Sequence, residues 1–194
     1  MSTLKISPAH FSCSMHDPAQ QRNEILNRLE LAVTHLEDSM STLLVPEHGA
    51  SIGYAIPGAR DRNGVAAVPG GVGIRDGRVS AGGACAFGAD DTCARIILTV
   101  MKCDPLIRSA ATVRFSGNVL AVFEAMLLEC VPLDCTRKAP GISTMDWGIA
   151  SSCNDGVPDI IYDAGGNQRP GIIHVFGEDP LVVANNIIIC SNRI

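Results

Sequence analysis

Pro158-Asp159-Ile160-Ile161-Tyr162-Asp163 leads through Gly165-Gly166 to Ile172-Ile173-His174-Val175-Phe176, and Gly177-Glu178-Asp179-Pro180 follows at once. Two short β-branched runs, each closed by a carboxylate or a glycine, have the length and punctuation of buried strands. Asp179-Pro180 has the form of a helix start, a capping carboxylate before a proline in the first turn. The pattern predicts strands over 159–162 and 172–176 with a helix after them. Strands that hand over to helices belong to an α/β domain. In such domains ligands gather where buried strands end, so chemistry is expected at these polar clusters. The Ser143-Thr144-Met145-Asp146-Trp147-Gly148 segment upstream has the same character, with a Ser-x-x-Asp start for a short helix.

Working outward, a long helix is expected over 18–40, capped by Asp17 and opened by Pro18. Ile25, Leu29, Ala32, Val33, Leu36 and Met40 fall on one of its faces. From 51 to 83 the signal turns to strands and tight turns. Ile52, Tyr54 and Ile56 alternate with small residues, as in a half-buried strand, and 65–68 forms another. Strands over 72–75 and 78–81 flank Asp76-Gly77, a two-residue hairpin signal, so the first half of the sheet reads as antiparallel. Beyond Asp90 a helix over 91–102, a strand over 112–115, a helix capped by Ser116 and a strand over 131–134 alternate. The sum is a three-layer α/β/α domain with a mixed, partly antiparallel sheet over residues 18–194, preceded by an N-terminal extension over 1–17.

Composition narrows the function. Of 194 residues 46% are hydrophobic and 18% charged, the balance of a well-buried globular domain. The net charge is −5 with no Lys/Arg run, which argues against nucleic acid as a partner. No apolar stretch approaches the roughly 20 residues that span a bilayer. The N-terminus carries no sustained apolar core of a secretory signal, so no membrane partner and a cytoplasmic location are expected. Eight cysteines contain no Cys-x-x-Cys pair. Cys93, Cys103 and Cys190 sit at apolar helix positions, so reduced structural thiols are expected rather than a metal centre. Gly-x-Gly-x-x-Gly and Gly-Lys-Ser/Thr loops are absent.

Few residues remain for chemistry. Arg114 lies between Val113 and Phe115 in an expected strand and needs a partner: a structural carboxylate or a ligand anion, both readings open. Ser143-Thr144 and Ser116-Gly117 open expected helices, whose free N–H groups suit anions. Asp163 at a strand end can hold Mg²⁺ on a diphosphate, or can cap its own turn. His174 is flanked by apolar neighbours, and a lone strand histidine is more often a hydrogen-bonded core residue than a catalyst. Together these features point to a soluble α/β domain for a phosphorylated small molecule.

The ordered motifs resemble the archaeal-type thiamine-phosphate synthase domain, the ThiN family. The resemblance runs through Tyr54-Ala55-Ile56-Pro57, Val65-Ala66-Ala67-Val68-Pro69-Gly70, Ala94-Arg95-Ile96-Ile97-Leu98, Met101-Lys102-Cys103-Asp104-Pro105, Ile107-Arg108-Ser109-Ala110 and Val113-Arg114-Phe115-Ser116. It continues through the 143–148, 158–163, 165–166 and 177–180 segments. It implies a class II aldolase-like three-layer fold. The implied reaction joins hydroxymethylpyrimidine diphosphate to hydroxyethylthiazole phosphate, giving thiamine phosphate and diphosphate, with Mg²⁺ as cofactor. It casts Arg95, Arg108 and Arg114 as catalytic, and Asp163 as metal-binding. It casts Ser116, Ser143, Thr144, Met145, Gly165, Gly166, Arg169 and His174 as substrate-binding, with Trp147, Tyr54 and Tyr162 as stacking surfaces for the pyrimidine. A stand-alone form and a homo-oligomer are expected. This chain has Gly71 where the family usually has arginine, Ala164 in place of an acidic residue, and Asn167-Gln168-Arg169-Pro170 in place of a lysine-glutamate-proline stretch. A non-catalytic sensor of thiamine phosphate is the second reading. An aldolase-like zinc enzyme is disfavoured by the lack of clustered histidines.

Overall fold

The computed structural model describes residues 17–133, 144–153, 156–166 and 169–194. Five helices, α1 (Pro18–Ser39), α2 (Asp91–Val100), α3 (Gly117–Ala125), α4 (Thr144–Ser152) and α5 (Pro180–Ser191), sandwich a seven-stranded sheet. Its strands are β1 (Ile52–Ala55), β2 (Val65–Ala67), β5 (Ala86–Phe87), β6 (Ser109–Arg114), β7 (Cys130–Pro132), β8 (Ile160–Asp163) and β9 (Ile172–Gly177). They lie in the order β5-β2-β1-β6-β9-β8-β7, so the sheet ends on strands of two and three residues. Every pairing is antiparallel except β7–β8. The mixed three-layer sheet expected from sequence is present, with its parallel pair at one edge.

Two hydrophobic layers hold it together. On one face Leu29 and Leu36 of α1, Phe123 of α3 and Ile187 of α5 pack on Val113, Ile173 and Val175. On the other Ile96, Ile97 and Val100 of α2 and Ile149 of α4 cover Ala110, Ile161 and Phe176. The caps foreseen at the helix starts are made: Asp17 Oδ1 accepts from Ala19 N (3.1 Å), Ser116 Oγ from Val119 N (3.2 Å) and Asp179 Oδ1 from Leu181 N (2.9 Å).

Three sequence expectations change. β1 is buried on both faces, not half-buried. Its small residues admit α2: a Cβ on Gly53 would stand 2.6 Å from Cys93 Sγ. The hairpin β3 (Val72–Arg75) and β4 (Arg78–Ala81) forms a separate two-stranded sheet rather than part of the main one. Its turn has Asp76 at φ 52° and Gly77 at φ 75°, the positive pair of a type I′ turn. It leans on α1, where Glu37 Oε1 accepts from Ala81 N (2.7 Å), and joins the body through paired Ala50–Val72 backbone bonds of 2.7 Å. Cys103 lies beyond the end of α2 and is exposed, whereas Cys93 and Cys190 are buried as expected. Burial pushes the Cys85 and Cys190 thiols up to about 11, so both stay protonated at neutral pH.

Candidate functional site

An open cleft of about 770 Å³ lies on the α2 face of the sheet. The β6–β9–β8 register sets its floor. Thr112 pairs with His174, and Ile172 pairs with Asp163, so these side chains rise on one face as same-face neighbours. Asp90, Asp91 and Thr92 at the start of α2 form one wall, with Ile96 a turn further on. Asp163, Arg169 and Pro170 form the opposite wall, while His48 to Ser51 and Gly70-Gly71 close a third side. Ser51 is fixed to the floor, its N–H donating to Thr112 Oγ1 at 2.8 Å.

His174 is the buried polar group of this floor, 5% exposed, with Nδ1 lacking a hydrogen-bond partner among the described residues. Its pKa falls to about 4 because burial disfavours the imidazolium, an effect Asp163 only partly offsets. It is therefore a neutral imidazole at pH 7, a hydrogen-bonding group and not a cation for phosphate.

Asp163 at the end of β8 does two jobs. Its Oδ1 accepts from Gly165 N at 2.9 Å, closing an Asx turn, and its Oδ2 pairs with Arg169 Nη2 at 2.8 Å. Gly165 has φ +75°, and a Cβ there would stand 2.5 Å from Arg169 O. This glycine lets the turn fold on itself. A Cβ on Gly166 would meet nothing within 4 Å. Asp90 Oδ1 accepts from Cys93 N (2.9 Å) and Asp91 Oδ1 from Arg62 Nη1 (2.6 Å), so the positive end of α2 is already answered by carboxylates.

The three arginines named from sequence are not brought together. Arg95 is exposed on α2. Arg108 and Arg114 flank opposite ends of β6, roughly 20 Å apart at strand rise. Alternation gives Arg114 the α2 face, but as the last strand residue it is exposed, so no buried charge needs a partner. By register it stands across Ile172 from Asp163, about 10 Å away at two strand spacings, and outside the cleft lining. Ser116 is exposed at the α3 cap, away from that lining. Ser143 lies outside the described residues, and Thr144 and Met145 begin α4.

The aromatics expected to stack on a ring are also placed elsewhere. Tyr54 is buried towards α1, and Tyr162 stacks on Phe115 at 5.7 Å on that same face. Trp147 is half-buried on α4, its Nε1 without a partner among the described residues. Conversely, Ser51, Asp90, Asp91, Thr92 and Thr112 line the cleft and were not singled out from sequence. Asp90-Asp91-Thr92 did carry a signal, as the polar start of an expected helix.

No group of three or more His, Cys, Asp or Glu able to hold a metal exists among the described residues. Hard-cation binding through one or two carboxylates plus a substrate diphosphate needs less. The acidic wall and Asp163 across the cleft fit that mode.

Comparison with known proteins gives the family. The ThiN thiamine-phosphate synthase model matches residues 28–189. The chain is 31% identical over 190 residues to a bifunctional thiamine biosynthesis protein ThiDN of Methanocaldococcus jannaschii, covering 96% of this chain and 45% of that protein. It thus spans less than half of that relative's length. It is 27% identical over 149 residues to a thiamine-phosphate synthase ThiN of Methanothermobacter thermautotrophicus, covering 73% of this chain and 78% of that one. The crystal structure of the C-terminal domain of protein MJ0236 superposes with a TM-score of 0.80 at 30% identity, covering 88% of this chain and 95% of that domain. With the match running from within α1 to within α5, the chain belongs to the ThiN thiamine-phosphate synthase family.

Proposed function

We propose that this chain is a thiamine-phosphate synthase, joining hydroxymethylpyrimidine diphosphate to hydroxyethylthiazole phosphate with release of diphosphate. The observation that carries the reading is the family match over residues 28–189, which brackets every residue lining the cleft. In this reading the cleft holds both substrates over the Thr112–His174 floor. Arg169 binds a phosphate oxygen from the rim with its unspent guanidinium donors. Neutral His174 and Thr112 offer hydrogen bonds to the heterocycle. The walls exclude part of the water, which strengthens each charge contact. Mg²⁺ would be held by Asp163, with Asp90 from the facing wall, and would supply charge neutralisation of the leaving diphosphate.

Two further readings belong with it. The free, protonated thiols of Cys85, Cys93 and Cys190 suit the reducing cytoplasm. The exposed Leu43 and Ile74, at 63% and 53%, suit a homo-oligomer, which sedimentation at micromolar concentration distinguishes from a 20.4 kDa monomer. Purified protein with Mg²⁺ and the two phosphorylated precursors should yield thiamine phosphate. No product above a no-enzyme control, together with tight binding of thiamine phosphate, would instead make the chain a sensor.

A further inference from the structure

Two of the free thiols meet sulfur to sulfur. Cys153 stands just past the end of α4, four residues after Ile149, so both side chains fall on one helix face. That face packs on α2, where Ile149 and Cys153 join Ile96, Ile97, Val100 and Met101 in one buried cluster. Cys103 lies in the turn that closes α2, its N–H donating to Val100 O at 2.9 Å. The Cys153 thiol, 5% exposed, donates its S–H to Cys103 Sγ. The other thiols face oxygen: Cys190 Sγ donates to Val119 O (3.8 Å), Cys130 Sγ donates to Leu128 O (3.5 Å), and Cys93 is bonded to Ser51.

The two thiols are unequal, and the inequality sets an order of reaction. Cys103 is exposed and open to a small oxidant. Burial, and then the neighbouring Cys103, push the Cys153 thiol up to about 12, so it stays protonated at neutral pH and does not react first. A sulfenic acid formed on Cys103 would already touch this second thiol. That contact ends in a disulfide, which is reversible, before further oxidation makes the damage permanent.

We propose that Cys103 and Cys153 are a redox modification site, oxidised by a hydroperoxide to a disulfide that ties α2 to α4. The Cys103 sulfur takes one oxygen from the hydroperoxide, whose O–O bond breaks to release water or an alcohol. The Cys153 sulfur then attacks the sulfenic sulfur and forms the S–S bond, and its proton leaves with the hydroxyl as water. Two electrons pass from the two sulfurs to the peroxide, and a reducing dithiol returns them. In a reducing compartment such a bond is transient, as a sensing disulfide must be. The crosslink closes a loop over β6, α3, β7 and α4, and stands whether or not the cleft performs the proposed synthesis.

Full-length protein, reduced and then freed of reductant, is treated with stoichiometric hydrogen peroxide, alkylated, digested and mapped by mass spectrometry. A Cys103–Cys153 linked peptide should appear as two of the eight thiols are lost, and dithiothreitol should reverse both changes. Cys153→Ser should leave Cys103 as a sulfenic acid that dimedone traps roughly tenfold more than in the unaltered chain. Cys103→Ser should slow thiol loss roughly tenfold, since the exposed sulfur is the one attacked. Unfolding in urea before peroxide should cut the linked fraction roughly tenfold, because 50 residues of free chain seldom hold their ends together. Circular dichroism melts identify a variant that fails to fold, and exposed Cys103→Ser serves if buried Cys153→Ser is lost. Cys103 oxidised without the link overturns the proposal, as does a covalent dimer through Cys103, a disulfide mapped mainly to another pair, or a linked fraction unaffected by urea.

Discussion

Arg169 closes the β8–β9 connection by pairing through Nη2 with Asp163 Oδ2 at 2.8 Å, on one wall of the cleft. The Arg169 side chain is 61% exposed, so the pair adds at most about 1 kcal/mol to stability. In the proposed synthase reading, where Arg169 binds a phosphate oxygen, its weight is greater. Arg169→Gln should leave the melting temperature within a degree or two and lower kcat/KM for thiamine phosphate formation roughly tenfold or more. A purely structural pair predicts unchanged kinetics, and steady-state assays beside a thermal melt separate the two.

His174 sets a pH dependence. Its pKa is about 4 in the fold against 6.5 for the free side chain, so the unfolded chain binds the proton first. Stability is complete above pH 6.5, falls as pH drops from 6.5 towards 4, and levels off below. The full span is worth at most about 3 kcal/mol. Urea titrations at pH 7 and pH 4.5 should show this loss, and His174→Gln should flatten the curve in that window.

Two leucines of α1 provide a contrast two residues apart. Leu29 is 0% exposed in the core and Leu31 is 48% exposed. Leu29→Ala should cost about 2–5 kcal/mol, Leu31→Ala within about 0.5 kcal/mol of nothing. Equal losses by chemical denaturation would mean that the outer face of α1 is covered in solution.

Gly53 holds the sheet against α2. Gly53→Ala should cost about 1–3 kcal/mol by overpacking, since the added methyl would stand 2.6 Å from Cys93 Sγ and 3.0 Å from both Ala66 O and Ile97 Cδ1. Trimming the facing thiol in Gly53→Ala/Cys93→Ala should recover part of that loss, so the double-mutant cycle should be non-additive.

Elements with strong local signals were legible in the sequence. Asp17-Pro18 and Asp179-Pro180 start helices and Asp76-Gly77 turns a hairpin because capping and turn chemistry are decided within four residues. Partnership between distant segments was not legible. The 51–56 alternation looked half-exposed because nothing local says that α2 covers Gly53 and Ala55. β6 starts at Ser109, ahead of the expected 112, because Ser109-Ala110-Ala111 lacks the β-branched side chains that announce strands. Arg114 was expected to need a partner as a strand charge, yet whether its face is covered depends on where the strand stops, and β6 ends at Arg114 itself. Of the cleft, Asp163 was found by its strand-end position, whereas Arg169 in the β8–β9 connection and His174 within β9 were named through the family resemblance. The His48–Ser51 wall was missed, since it is positioned by backbone pairing between Ala50 and Val72.

The brevity of the outer strands has a consequence for how copies of this chain can meet. An exposed strand edge templates intermolecular pairing and, unchecked, open-ended fibrous growth. Here β5 offers two residues, and β7 offers three with Pro132 among them, a residue that cannot donate to a neighbouring ladder. Sheet-to-sheet extension therefore has almost no footing at either margin. Any closed assembly must be built through helices and the β3–β4 hairpin, whose side-chain contacts can saturate at a fixed number of subunits.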